Sequence, residues 1–188
     1  MKTKKPLTVG DWIGAAFRSL TKHGSKGIRA ESIARDLKVS KGSFYWHFKD
    51  VPALKKAMLD HWKQSATEAI ISQAEDGKST PAEQLKFVVN AATGNNNASY
   101  GGVLAETAIR DWARYDKLAG KTVLAVDKKR LTYLEVLFTN HGTKPKRARS
   151  NSAILYGALI GLEGLSHRGL ANLNDDLLAL LKQLLRDE

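Results

Sequence analysis

Cysteine is absent from the 188 residues, so disulfides, thiolate nucleophiles and thiolate metal sites are excluded by composition. Long apolar runs are missing as well. The longest, Ala153 to Leu162, has ten residues, whereas a membrane helix needs about 20. The opening Met1-Lys2-Thr3-Lys4-Lys5 is basic, but Pro6-Leu7-Thr8-Val9-Gly10-Asp11 is not the apolar stretch of an export signal. These absences predict a protein with no membrane partner and a cytoplasmic location. The five histidines are scattered without metal-ligand spacing, and neither a Gly-x-Ser-x-Gly elbow nor a Gly-x-x-x-x-Gly-Lys-Ser/Thr loop occurs. The expectation is therefore no metal, no cofactor and no enzymatic activity.

Hydrophobic residues make up 43% of the chain and charged residues 26%, the composition of an ordinary globular protein. Positive charge is in excess and unevenly placed. Met1 to Lys63 holds 14 Lys/Arg against 5 Asp/Glu, a net of +9, while the remaining 16 against 14 leave only +2. A third of the chain thus carries nearly all of the net +11. Such a segment attracts polyanions and gains affinity by releasing phosphate counterions.

The pattern is helical almost throughout, and the fold class expected is all-α. Val9, Ile13, Ala16, Phe17 and Leu20 share one face of a helix that stops near His23-Gly24. A short second helix runs from about Arg29 to Leu37, Lys38-Val39-Ser40 make a turn, and a third helix spans about Lys41 to Phe48. Asp50 caps a long fourth helix ending before Gly77, with Leu54, Met58, His61 and Trp62 on one face. Thr80-Pro81-Ala82-Glu83 has the form of a capping box opening a helix to about Ala92. Gly94-Asn95-Asn96-Asn97 is a loop. Further helices follow at about Gly102 to Tyr115, Lys117 to Asn140, Pro145 to Ser166 and Asp175 to Arg186.

Helix, three-residue turn, helix is a compact way to hold a short helix for entry into a major groove. Ala34 is small where the two helices cross, Val39 plugs the turn, Ser40 suits an N-cap, and Gly42 lets backbone come near another surface. Ser40, Lys41 and Ser43, followed by Tyr45, His47 and Lys49, offer hydroxyl, imidazole and ammonium donors fit for phosphates and base edges. The run Ile33-Ala34-Arg35-Asp36-Leu37-Lys38-Val39-Ser40-Lys41-Gly42-Ser43-Phe44-Tyr45-Trp46-His47-Phe48-Lys49-Asp50 resembles the DNA-binding signature of the tetracycline-repressor (TetR) family, over roughly Val9 to Leu59. The resemblance implies double-stranded operator DNA as partner and Lys41 to Lys49 as the reading helix. It assigns phosphate contacts to Tyr45, His47 and Lys49, base contacts to Lys41, Gly42 and Ser43, and a phosphate or thymine-methyl contact to Trp46. Where the family has Thr or Ser opening the second helix, Ile28 and Arg29 stand here, and Arg29 supplies the contact as a cation. Phe44 and Phe48 read as core.

The same resemblance implies a helix-turn-helix domain over 1–50, followed over 51–188 by a helical domain that binds a small-molecule effector and forms a homodimer. Trp62, Phe87, Tyr100, Trp112 and Tyr133 lie on helices able to enclose a pocket, a filled core being the plainer alternative. Arg110 and Asp111 read as a surface or interhelical pair. Leu155, Ala158, Leu162 and Leu165, with Leu181 of the last helix, suit packing against a second copy. The function expected is a repressor released by an unknown effector. The alternative is an architectural or occlusion factor that uses the fold without one.

Overall fold

The computed structural model describes residues 6–77, 79–94 and 103–186, and among these every regular element is helical. The described residues form nine α-helices: α1 Val9–His23, α2 Ala30–Asp36, α3 Val51–Lys63, α4 Ala69–Glu75, α5 Pro81–Thr93, α6 Val103–Ala113, α7 Lys117–Asn140, α8 Pro145–Ser166 and α9 Leu173–Leu184. No helix among the described residues is long and apolar enough to cross a membrane. The chain divides into two compact units, Met1–Trp62 with Ala98–Gly120, and Lys63–Asn97 with Lys121–Glu188.

Capping chemistry sets the boundaries. Thr8 and Asp11 form a capping box on α1, and Gly24 closes it at φ 65°, its N–H donating to the Leu20 carbonyl. The Asp50 carboxylate accepts from the Ala53 N–H at 2.8 Å and opens α3. Thr80 and Glu83 make the expected capping box on α5. Asn172 caps α9 through the Asp175 N–H, so this helix begins two residues earlier than its periodicity indicates. The expected loop residues 95–97 lie outside the described residues.

The first unit packs α1, α2, α3 and α6 around Trp12, Phe17, Ile33, Phe44, Leu54, Met58, Trp62 and Ile109, all at most 1% exposed. Buried Glu106 accepts from the Trp62 indole N–H and from Arg110, each at 2.9 Å. Arg110 therefore pairs with its own helix, and Asp111 approaches Arg114 at 3.9 Å instead. After α6, burial raises the Asp116 carboxyl, but donors from Ala119, Trp112 and Leu118, with Lys55 nearby, outweigh it and hold the group below its ordinary value.

In the second unit α8 packs on α9, and α9 on α5. The long fourth helix of the sequence reading is interrupted: between α3 and α4 the chain takes a π-turn at Gln64–Glu68. A π-turn displaces carbonyls from the i→i−4 ladder. Here Arg130 of α7 meets it, donating to the Ala66 carbonyl at 3.0 Å and the Thr67 hydroxyl at 2.9 Å. Arg130 also donates to the Tyr156 hydroxyl at 3.1 Å, which in turn donates to Asp127 at 2.7 Å.

The turn after α2 is a Schellman closure: Val39 N–H donates to the Ala34 carbonyl and Lys38 N–H to that of Arg35. Lys38, at φ 57°, holds the left-handed position that glycine adopts without penalty. Lys38→Gly should therefore raise stability by about 1 kcal/mol, measured by thermal or urea unfolding; a lower stability would show that the lysine side chain contributes more than its backbone costs.

Candidate nucleic-acid interface

The reading element begins with a buried tryptophan. Trp12, on α1, meets Phe44 edge-on at 5.6 Å between ring centroids, and Phe44 stacks on Phe48 at 5.7 Å. Trp12 and Phe44 are fully buried. With Phe44 held inward, its neighbours must point elsewhere. Tyr45 packs its ring edge against Phe44 at 5.3 Å yet stays 57% exposed, and Trp46 is 88% exposed. An indole with that much free surface is not a packing residue of its own chain.

Lys41–Trp46 forms a 3₁₀ helix rather than the α-helix to Phe48 read from the sequence. Its three-residue turns place side chains i and i+3 above one another. Phe44 anchors the ridge of Lys41 and His47, so Gly42 with Tyr45 and Ser43 with Trp46 form the two remaining ridges. His47 N–H and Phe48 N–H both donate to the Phe44 carbonyl at 3.0 Å, which ends the turn. His47 is half-buried, its ring 5.8 Å from that of Trp12, while Lys41 and Lys49 are exposed. Ser40 takes the N-cap position but makes no capping bond; its hydroxyl lies 3.3 Å from that of Ser43. A Cβ built on Gly42 would meet nothing nearer among the described residues than the Ser40 hydroxyl at 3.7 Å. The fold therefore does not require glycine at that position. Arg29 is the extended N-cap residue of α2, exposed and making no capping bond of its own.

These residues converge on one exposed element bearing hydroxyls, ammonium groups and an indole face. Such a set can bond phosphate oxygens and base edges while an apolar ring covers a thymine methyl. Trp12 was not among the residues singled out from the sequence, although Trp12, Ala16 and Ser19 continue the i, i+4, i+7 spacing of α1.

The other candidate residues belong to other elements. Trp62 and Trp112 are buried in the first unit, with the Lys55 ammonium 5.5 Å from the Trp112 ring. Phe87 and Tyr133 belong to the second unit, Phe87 being 37% exposed. Tyr100 lies outside the described residues. Leu155 and Leu181, at 3% exposure each, face their own unit's core; Ala158 and Leu162 are half-buried and Leu165 is exposed. The outer side of α8 is formed instead by Ala153, Ile154, Gly157, Ile160, Gly161, Gly164 and Leu165.

Residues 13–58 match the family profile of bacterial regulatory proteins of the tetR family. A TetR-like transcriptional regulator from Rhodococcus sp. RHA1 superposes with a TM-score of 0.77 at 15% identity, covering 98% of this chain and 96% of that one. A second transcriptional regulator from Rhodococcus sp. RHA1 gives 0.73 at 17%, covering 95% and 96%. The fatty acid degradation regulator FadR from Bacillus halodurans gives 0.70 at 17%, covering 97% of each chain. No curated protein sequence matches. Over 13–58 the chain is thus similar to bacterial regulatory proteins of the tetR family, and along nearly its whole length it shares the fold of solved TetR-like regulators.

Proposed function

We propose that the chain is a sequence-specific transcriptional repressor that binds a pseudo-palindromic operator as a homodimer and leaves it when a small-molecule effector binds. The observation that carries this reading is the exposure of Tyr45 and Trp46 on an element pinned from behind by Trp12 and Phe44. Rigid support of this kind lets a short turn read a groove without first ordering itself. Arg29, Tyr45, His47 and Lys49 position the phosphates, and Lys41, Gly42 and Ser43 reach the bases. The division proposed is a DNA-binding domain over 1–50 and an effector and dimer domain over 51–188.

Dimerisation is supported by α8. A Cβ added at Gly157, Gly161 or Gly164 would meet nothing within 4 Å. Each glycine costs the helix about 1 kcal/mol relative to alanine and relieves no crowding among the described residues. A stripe of such residues beside Ile154 and Leu165, 50% and 43% exposed, fits the close approach of a second helix. The interface proposed is therefore this face, with Ala158, Leu162 and Leu165 retained from the sequence reading and Leu155 and Leu181 behind it.

The effector reading draws on Tyr133. Its hydroxyl oxygen is buried and finds no hydrogen-bond partner among the described residues. Burial, and then the Glu75 charge, push the phenol above its ordinary value. A buried hydroxyl without a partner costs about 1–3 kcal/mol, which suits a group that bonds a ligand. We assign Tyr133 to the effector pocket on that ground.

Fluorescence anisotropy with duplexes selected by the protein from a random pool tests the DNA reading. Tyr45→Phe should weaken binding about tenfold or more through loss of one phosphate bond. Gly42→Ala should fold normally and still lose about tenfold through steric conflict with the duplex; full retention of binding by both would end the assignment. Gly161→Arg should convert a dimer into a 20.7 kDa monomer by light scattering, and a wild-type protein already monomeric at micromolar concentration would refute the α8 interface. Tyr133→Phe should raise the unfolding free energy by about 1 kcal/mol, whereas a drop would show that the hydroxyl is already satisfied.

A further inference from the structure

We propose that a cationic cleft between the end of α1 and the outer side of α2 is a second phosphodiester-binding site, which carries the DNA contact past the reading turn onto flanking backbone. The inference rests on the DNA-binding reading above and adds His23, Lys26, Ser32 and Arg35 to it.

The cleft is open and encloses about 550 Å³. Its floor is held by close packing and backbone hydrogen bonds. A Cβ on Gly27 would stand 2.7 Å from the His23 Cβ and 2.9 Å from the Ser19 hydroxyl, so only glycine fits. The Ser19 hydroxyl donates to the Gly27 carbonyl at 2.7 Å. Gly24 receives the Gly27 N–H at 2.9 Å, the Gly27 carbonyl receives the Arg29 N–H at 2.8 Å, and Ile28 is buried beneath. The three-residue turn Ser25–Gly27 thus brings Lys26 to the wall of the cleft along with His23 and Arg29.

The electrostatics are one-sided. Lys26, Arg29 and Arg35 against the single carboxylate of Glu31 leave an excess of two positive charges. Glu31 is itself spent weakly on Arg35, at 3.6 Å with both side chains more than 70% exposed. Ser32 adds a hydroxyl to the wall. Arg29 lines this cleft and is also a candidate DNA contact, so the two assignments share a residue.

Openness decides the ligand class. Exposed, hydrated cations hold a lone small anion poorly, because screening and solvation take most of the attraction. They hold a polyanion well, because each phosphate neutralised releases condensed counterions. The occupant that fits is the sugar-phosphate backbone of a duplex. Base edges play no part there, so the cleft adds affinity without adding discrimination.

The double variant His23→Gln with Lys26→Gln tests this in the full-length protein, with circular dichroism confirming the fold since both side chains are exposed. Affinity for selected and competitor duplexes should fall by the same factor, and the slope of log K against log salt should shrink by about 0.9 for each phosphate lost. Phosphate-ethylation interference should lose positions at the edge of the footprint that Tyr45→Phe leaves intact. An unchanged slope and footprint in the variant, with wild-type protein binding normally, overturns the cleft alone. Millimolar inorganic phosphate that shifts the His23 ring resonances and is displaced by nothing larger would mark a small-anion site and overturn it too. Wild-type protein that protects no duplex at low salt overturns the DNA reading itself.

Discussion

One aromatic contact governs the candidate interface: Trp12 against Phe44. The turn Lys41–Trp46 is too short to be stable by itself, since a nucleus of so few hydrogen bonds does not repay the backbone order it demands. Its conformation is set from outside, by a ring of α1 that fixes the one inward residue. Everything a ligand meets on that surface follows. Tyr45 and Trp46 are outward because Phe44 is inward, and Lys41 and Lys49 bracket them because the chain has no other path. The Trp12 indole N–H is left buried without a partner among the described residues, a polar cost accepted for the size of the ring.

Buried polar groups do the corresponding work elsewhere. In the first unit, Glu106 engages both carboxylate oxygens, one with Trp62 and one with Arg110. In the second, Arg130 spreads its guanidinium over the π-turn and Tyr156. Removing Arg110 takes the ion pair away from the buried Glu106 carboxylate, at a cost of about 3–5 kcal/mol. These groups fix which turn of one helix faces which turn of another, a choice that apolar contacts leave loose.

The all-α class and most helix boundaries were legible because caps and periodicity are local properties. Asp50, the Thr80–Glu83 box and Gly24 each act within four residues of where they stand. Lys117–Asn140 and Pro145–Ser166 match the sequence reading to the residue. What could not be read depends on partners far along the chain. The π-turn at Gln64–Glu68 is stabilised by Arg130, more than sixty positions away, and nothing local announces it. The pairing of Arg110 with Glu106 rather than Asp111 follows from which side of α6 is buried. In the reading turn, residue types identified the element, but the 3₁₀ geometry and the missing Ser40 cap are seen only in the structure. On α8, small and apolar residues marked the helix correctly, yet only the structure separates Leu155, facing inward, from Ile154, facing out.

The distribution of the four tryptophans has a spectroscopic consequence. Trp12, Trp62 and Trp112 are sealed from solvent at 2% exposure or less, while Trp46 stands almost bare. Collisional quenchers in water therefore reach a single indole, and its emission is the most red-shifted of the four. The molecule carries its own optical reporter at the tip of the reading turn, sensitive to the arrival of any surface that covers it and blind to rearrangements of the interior.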